Sequence, residues 1–283
     1  MFGISEFNHL DVAECQQQLA EGKAVVLRGL VNQWPAIDLW SPTYFQKQFP
    51  DLEVTIKYFG ASNIRTQNTT MQEYVDILQK FKAGEAGTEI PYCHDIPVFL
   101  QTQDLLQDIG SFPSSILPSF YQKQWWKFVQ FFMSPAGAVT PLHFDTLRTN
   151  NLFFQVAGKK RFTLVPWHQR NACRRRGWRW FDHNPEQVQD TDLIEQQSVE
   201  INGGDVLIMP AGMLHHVRTL TDSISFNIDY HTKATAFSAL TRVIEKMPRE
   251  NLYYNAVSLL GLAGFMHHDS FFKRYRSYLN YIS

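Results

Sequence analysis

Cysteine is scarce in this chain: Cys15, Cys93 and Cys173 are the only three, and they lie far apart. They form no CxxC pair, and an odd count argues against a disulfide framework. Charge of either sign is not in excess. Twenty-six Lys and Arg meet 27 Asp and Glu, for a formal net charge of −1. No overall pull toward nucleic acid or an anionic membrane follows, so only a local patch could do such work. No apolar run reaches the roughly 18 residues of a membrane span. The opening MFGISEFNHLDVAE has neither a basic start nor the apolar stretch of a secretory signal. These absences predict a soluble, reduced, cytoplasmic protein. Internal repeats, low-complexity tracts, Gly-rich phosphate loops and a nucleophile elbow are also missing.

What is present is core-forming material. Of 283 residues, 44% are hydrophobic and 14% aromatic, with 19% charged. That composition excludes disorder and suits one large domain with appendages or two small ones. The first 90 residues mix helix and strand. Residues 11–21 read as a helix with Asp11 at its N-cap, and 23–30 and 53–58 read as strands. Thr70 and Glu73 form a capping-box pattern, followed by Met71, Tyr74, Val75, Leu78 and Phe81 at helical spacing. From about 120 to 230 the chain turns to short alternating or aromatic runs: 126–133, 151–156, 161–166, 198–201, 205–210, 215–220 and 223–230. Turns at Ala157-Gly158-Lys159 and Asn202-Gly203-Gly204 separate some of them. The pattern predicts a β-sandwich or jelly roll. The last 50 residues return to helix. Phe237, Leu240, Ile244 and Met247 mark an apolar stripe ended by Pro248, and a second apolar helix runs through 252–266. This tail is expected either to cover the barrel or to form a dimer face.

His143-Phe-Asp145 is the first chemical signal. Residues i and i+2 of a strand point to one face, so an imidazole and a carboxylate sit together. They make two-thirds of a 2-His-1-carboxylate triad, the set that holds Fe(II) and leaves positions open for substrate and oxygen. Alone, the HxD pair is a weak signal. About 70 residues on, Gly204-x5-Pro210-x-Gly212-x2-His215 supplies a third ligand at the start of a returning strand. His215 and His216 compete for that role. His215 shares a face with Val217 and Thr219, whereas His216 shares the other with Arg218 and Leu220, which suits an outer surface. Parity therefore selects His215.

HxD followed by PxGxxH within a string of short strands resembles the cupin-like JmjC family of Fe(II)/2-oxoglutarate oxygenases. The likeness extends to Thr140-Pro-Leu-His143-Phe-Asp145, to Asn151 through Arg161, to Phe181-Asp-His-Asn184-Pro185 and to Gly204-Asp205-Val206. The segment VVLRGLVNQWPA at 25–36 resembles the family's entry segment. The pattern is similar to that of the asparaginyl hydroxylase of hypoxia-inducible factor and of the tRNA wybutosine-pathway hydroxylase. The resemblance covers most of 23–232. It implies a mainly β double-stranded β-helix, the jelly roll of cupin and JmjC proteins, with N-terminal α/β elements over 1–90, a catalytic core over 91–232 and a helical segment over 233–283. It implies Fe(II) held by His143, Asp145 and His215, with 2-oxoglutarate as co-substrate and O2 as oxidant. Lys160 stands at the family's lysine position for the distal carboxylate, and Lys159 competes from within the turn. Thr140 would donate to the same carboxylate, and Asn151 and Asn227 match positions that line the site. Ser223, Ser225, Asn227 and Asp229 form a polar strand face that suggests a lined cavity, although solvent is the commoner explanation for such alternation. Two departures stand out. Phe99 falls where these relatives place a tyrosine that touches 2-oxoglutarate, and Asp229 where one has a tryptophan near its substrate.

The expected activity is hydroxylation, or hydroxylation leading to demethylation, most simply of a protein or peptide side chain. The alternatives are a tRNA base, a small metabolite, or a non-catalytic cupin that binds a ligand. Arg174, Arg175, Arg176 and Trp178 make a basic, aromatic cluster that could hold RNA, or whose arginines could simply stack on the tryptophans of a loop. Cys93-His94-Asp95 is read as structural, because three consecutive ligands rarely converge. A homodimer through the C-terminal helices is expected from the apolar stripe and the resemblance.

Overall fold

The computed structural model describes residues 2–60, 63–85, 87–187 and 194–282. Its strands in chain order are β1 (Ile4–Phe7), β2 (Ala24–Leu27), β3 (Glu53–Phe59), β4 (Ile64–Thr70), β5 (Tyr92–Ile96), β6 (Val129–Ser134), β7 (Val139–His143) and β8 (Asn150–Ala157). There follow β9 (Lys159–Val165), β10 (Arg175–Arg176), β11 (Trp180–Phe181), β12 (Gln197–Asn202), β13 (Val206–Met209), β14 (Leu214–Thr219) and β15 (Ser223–Tyr230). The helices are α1 (Val12–Ala20), α2 (Pro35–Leu39), α3 (Pro42–Gln48), α4 (Met71–Lys82), α5 (Val98–Gln101), α6 (Ser119–Gln122), α7 (Lys233–Thr241), α8 (Arg249–Leu262) and α9 (His268–Ile282).

The strands form two sheets, one ordered β1-β2-β13-β8-β15-β6-β5-β3-β4 and the other β10-β11-β7-β14-β9-β12. All pairings are antiparallel except β1 with β2. This is the mainly β jelly roll that the strand pattern predicts. The N-terminal strands are part of it: β2 pairs with β13, and β3 pairs with β5.

Alternation explains the layers. On β13, Val206 and Ile208 pack outward against Trp34 and its neighbours, whereas Leu207 and Met209 point between the sheets with Phe153, Phe162 and Val217. Both faces are covered, so the strand reads as a continuous apolar run. On β15, Ile224, Phe226 and Ile228 join the outer core, leaving Ser223, Ser225, Asn227 and Asp229 for the inside. All four are buried, so the polar face lines the interior. Gly158, at φ 75°, makes the β8–β9 turn. A Cβ there would fall 1.9 Å from the Asp222 carbonyl oxygen, which excludes any larger residue.

Local signals act as read. The Asp11 carboxylate accepts from Glu14 N–H at the start of α1, and Thr70 and Glu73 cap α4 reciprocally. The C-terminal stripe differs from expectation. Helix α7 stops at Thr241, a 3-10 turn follows, and Lys246 takes left-handed backbone at φ 62°. Pro248 bars the residue before it from helical backbone. Phe237, within α7, and Ile244, in the 3-10 turn, are 63% and 85% exposed. The tail does cover the barrel, through α9. Phe271 packs edge-on against Phe120, Tyr275 packs at a tilt against Phe128, and Tyr278 is buried.

Candidate metal centre

His143 ends β7 and His215 lies on the neighbouring β14, in direct register. Asp145 lies two residues beyond the end of β7, and one ligand atom from each of the three lies within 4.8 Å of the others. Backbone carbonyls fix how the histidines present themselves. His143 Nδ1 lies 2.8 Å from the Pro141 carbonyl oxygen, and His215 Nδ1 lies 3.2 Å from that of Met213. A ring nitrogen facing a carbonyl must carry the proton, which leaves each Nε2 lone pair free. His215 Nε2 is 3.7 Å from Asp145 Oδ1. Burial and the neighbouring His215 push His143 well below the ordinary histidine range, so its ring is neutral. Asn151 Nδ2 donates to Asp145 Oδ2 at 3.2 Å, orienting the carboxylate. Two imidazoles and one carboxylate, each held by a second partner, fit a divalent first-row metal.

His216 points to the other face of β14, as parity requires, yet that face is not surface. His216 is only 3% exposed. The excursion between β9 and β12 folds over the outside of the small sheet, where Leu214, Phe144, Cys173 and Phe181 make a separate apolar cluster. Burial drives His216 down to about 4, against the pull of Glu186.

The pocket that holds the triad also collects Thr140, Asn151, Lys160 and Asn227. Lys160 is 1% exposed. Its ammonium donates to Tyr92 Oη at 2.8 Å and to Ser225 Oγ at 3.1 Å, with no carboxylate beside it among the described residues. Burial pushes it down to about 7. Lys159, by contrast, is the half-exposed first residue of β9 and pairs with Glu200. Asp229 accepts from Asn151 Nδ2, Asn227 Nδ2 and Gln130 Nε2 at 3.0, 3.2 and 3.3 Å. Burial and the nearby Asp145 push it well above the usual carboxylate range.

The cupin-like domain family matches residues 12–236, a span that contains every one of these groups. The chain belongs to that family. Among its curated relatives, this cupin-like chain is 24% identical to arginine-specific demethylase JMJ22 of Arabidopsis thaliana, over 81% of this chain and 45% of the relative. It is 28% identical to human 2-oxoglutarate and iron-dependent oxygenase JMJD4, over 64% of this chain and 47% of the relative. A third, arginine-specific demethylase JMJ20 of Arabidopsis thaliana, is 22% identical over 78% of this chain and 54% of the relative. The chain thus spans about half the length of the curated relatives it matches.

Within the cupin-like barrel the two sequence departures resolve differently. Asp229 does line the pocket. Phe99 does not. It sits on α5 in the outer core, against Trp40, Trp125 and Phe226. The tyrosine hydroxyl in the pocket comes instead from Tyr92 on β5, which also hydrogen-bonds Thr140. Sequence reading noted the hydroxyl missing at Phe99 but not the one at Tyr92, because it did not recognise β5 as a strand of the large sheet. It also set aside His94 and Asp95, and both line the pocket. Lys57 Nζ donates to Asp95 Oδ2 at 2.7 Å, and His94 Nδ1 lies 2.8 Å from the same oxygen. Burial alone would raise Asp95, but His94 and Lys57 outweigh it and hold the carboxyl well below its usual range. Its backbone is left-handed, at φ 63°, where β5 slips register against β6. Such strain in a non-glycine residue is a mark of functional sites, and a positive-φ aspartate was not visible in a strand-like run. Gln130, Arg179 and Tyr278 are further polar lining residues that sequence reading missed.

The arginine cluster folds on itself. Arg175 stacks 4.7 Å over Trp178, donates to its carbonyl and pairs with Glu245. Arg174 and Arg176 are exposed. Among the described residues, no helix is long and apolar enough to cross a membrane.

Proposed function

We propose that this chain is an Fe(II)- and 2-oxoglutarate-dependent oxygenase that hydroxylates a C–H bond on a protein or peptide side chain. One observation carries the reading: a His-Asp-His donor set and a buried ammonium with no carboxylate partner among the described residues line the same pocket. His143, Asp145 and His215 would hold the iron. Bound there, iron with 2-oxoglutarate supplies the activation of O2 that oxidising an unactivated C–H bond needs. The chain's own groups do the rest. Lys160, with the Tyr92 and Thr140 hydroxyls, would receive the distal carboxylate of 2-oxoglutarate, because a buried cation is costly until an anion joins it. Asn151 keeps the Asp145 carboxylate oriented, and Phe132, Phe153 and Phe162 keep the pocket poor in water. Where the carbon attacked is an N-methyl group, hydroxylation leads to its loss, so demethylation is the same chemistry.

A protein substrate is favoured over RNA on two grounds. Relatives bear the names of arginine- and lysine-specific demethylases, and Arg175 is engaged internally. We also propose that two copies meet through the C-terminal helices, where Phe237, Ile244 and Phe265 are exposed. The decisive experiment is succinate release across peptide, tRNA and metabolite pools, with mass spectrometry for a gain of one oxygen. Anaerobic Fe(II) plus 2-oxoglutarate should give the weak visible absorption of the chelate. Its absence in folded protein overturns the reading.

A further inference from the structure

A second cavity, of about 740 Å³, shares no lining residue with the metal pocket. It lies where the loop after Asp145, the loop before His215 and helix α7 meet, and it is lined by Arg148, Asn150, Trp167, His168, Thr235 and Ser238 among others. Arg148 is the anomaly. It is 7% exposed, and its Nη1 is buried without a hydrogen-bond partner. No carboxylate of the described residues forms an ion pair with it. Its backbone is held in the left-handed region at φ 60°, with its N–H donating to the Asp145 carbonyl at 2.7 Å. Gly212 makes room for the side chain, since a Cβ there would lie 2.7 Å from Arg148 Nη2.

The surroundings make the missing anion more conspicuous. Arg170, Arg175 and Arg242 are the like charges that act on Arg148, and Glu245 is the acid that opposes them. Glu245 is already taken by Arg175 at 3.2 Å and Arg242 at 3.0 Å. Arg242 Nε is a second buried donor without a partner. Burial and these neighbours push Arg148 down to about 10. Stacking does not resolve the matter. Trp167 lies 3.8 Å from the guanidinium carbon, but a ring serves the face of the group, whereas its N–H donors point outward in the plane.

We infer that this cavity binds an oxyanion, carboxylate or phosphate, received by the edge of the Arg148 guanidinium. The cavity is larger than such a group alone. It adjoins a second, largely apolar one that shares Leu19, Ala20, Asn150, Ala234 and Thr235 and continues to Ile116, Phe120 and Leu262. The ligand class is therefore an anionic head on an apolar body.

The test is calorimetric titration of the full chain with octanoate and with octyl phosphate, using octanol as the uncharged control. Wild-type protein should bind at least one of the two anions, and the stronger of them identifies the head group. Octanol should bind at least about tenfold more weakly, and Arg148→Met should cost the anion about tenfold or more, the scale of a charged hydrogen bond. Arg242→Gln, which leaves Arg148 and its stack in place, should weaken binding severalfold and covers the case in which Arg148→Met does not fold. Lys160→Met should leave the affinity unchanged, separating this cavity from the metal pocket. Equal binding of octanol and the anions, no binding of either anion, unchanged affinity in folded Arg148→Met or in Arg242→Gln, or loss of binding in Lys160→Met each overturns the inference.

Discussion

The rings of His143 and His215 lie 4.1 Å apart, centroid to centroid, across neighbouring strands of the small sheet. Each turns its Nδ1 to a backbone carbonyl two residues back. His216, one residue on, points away under the Glu186 segment. Replacing His143, Asp145 or His215 by alanine should therefore weaken Fe(II) binding by more than about 100-fold, beyond the usual effect of losing an outer-shell partner. His216→Ala should bind iron as wild type does. Anaerobic titration followed by the visible absorption of the 2-oxoglutarate chelate reads both. Loss of iron in His216→Ala with retention in His215→Ala would reverse the assignment.

Lys160 gives the site a pH signature. Its ammonium is pushed down to about 7 by burial, and a dianion beside it restores the charged form. Below that pH the group is already charged, and ligand binding takes up no proton there. Above it, each bound 2-oxoglutarate draws in a proton, so affinity falls as pH rises, by up to about tenfold per unit. Calorimetry from about pH 6 to about pH 9, in buffers of different ionisation enthalpy, should show proton uptake only in the upper half. Lys160→Ala should bind 2-oxoglutarate about 10- to 100-fold more weakly and lose this pH dependence.

Tyr92 and Phe99 offer a paired test. Tyr92→Phe removes a hydroxyl that faces Lys160 and Thr140, and should weaken 2-oxoglutarate by about fivefold to tenfold, the net effect of one hydrogen bond. Phe99→Tyr should not touch co-substrate affinity. It adds a hydroxyl to the fully buried outer core and should cost about 1–3 kcal/mol of stability, measured by urea unfolding.

The dimer proposal is read by light scattering. Wild-type protein should scatter as a dimer at micromolar concentration. Ile244→Asp, at a position 85% exposed, should give a folded monomer. A wild-type monomer would remove the proposal.

Sequence alone carried the local physics far. Caps at Asp11 and Thr70, alternation along β15, and the glycine turn before Lys160 are all short-range signals, and each acts in the fold as read. HxD and PxGxxH were legible for the same reason, since i, i+2 spacing and strand parity fix which side chains share a face. What parity could not give was the fate of the opposite face. His216 looked like surface until the β9–β12 excursion covered it, and a covering segment obeys no periodicity in the strand it covers.

The rest of the pocket depended on register between strands distant in the chain. Tyr92, His94 and Asp95 reach the site because β5 pairs with β6 through a bulge, and Tyr278 because α9 folds back from the C-terminus. Such placements are decided by long-range packing energy rather than by neighbours in sequence. The sequence determined the donor set and the barrel that could hold it. Only the tertiary structure decided which hydroxyl meets Lys160 and that, among the described residues, no carboxylate forms an ion pair with the buried Arg148. Both depend on segments remote in the chain being brought within hydrogen-bonding distance, and no local pattern encodes that distance.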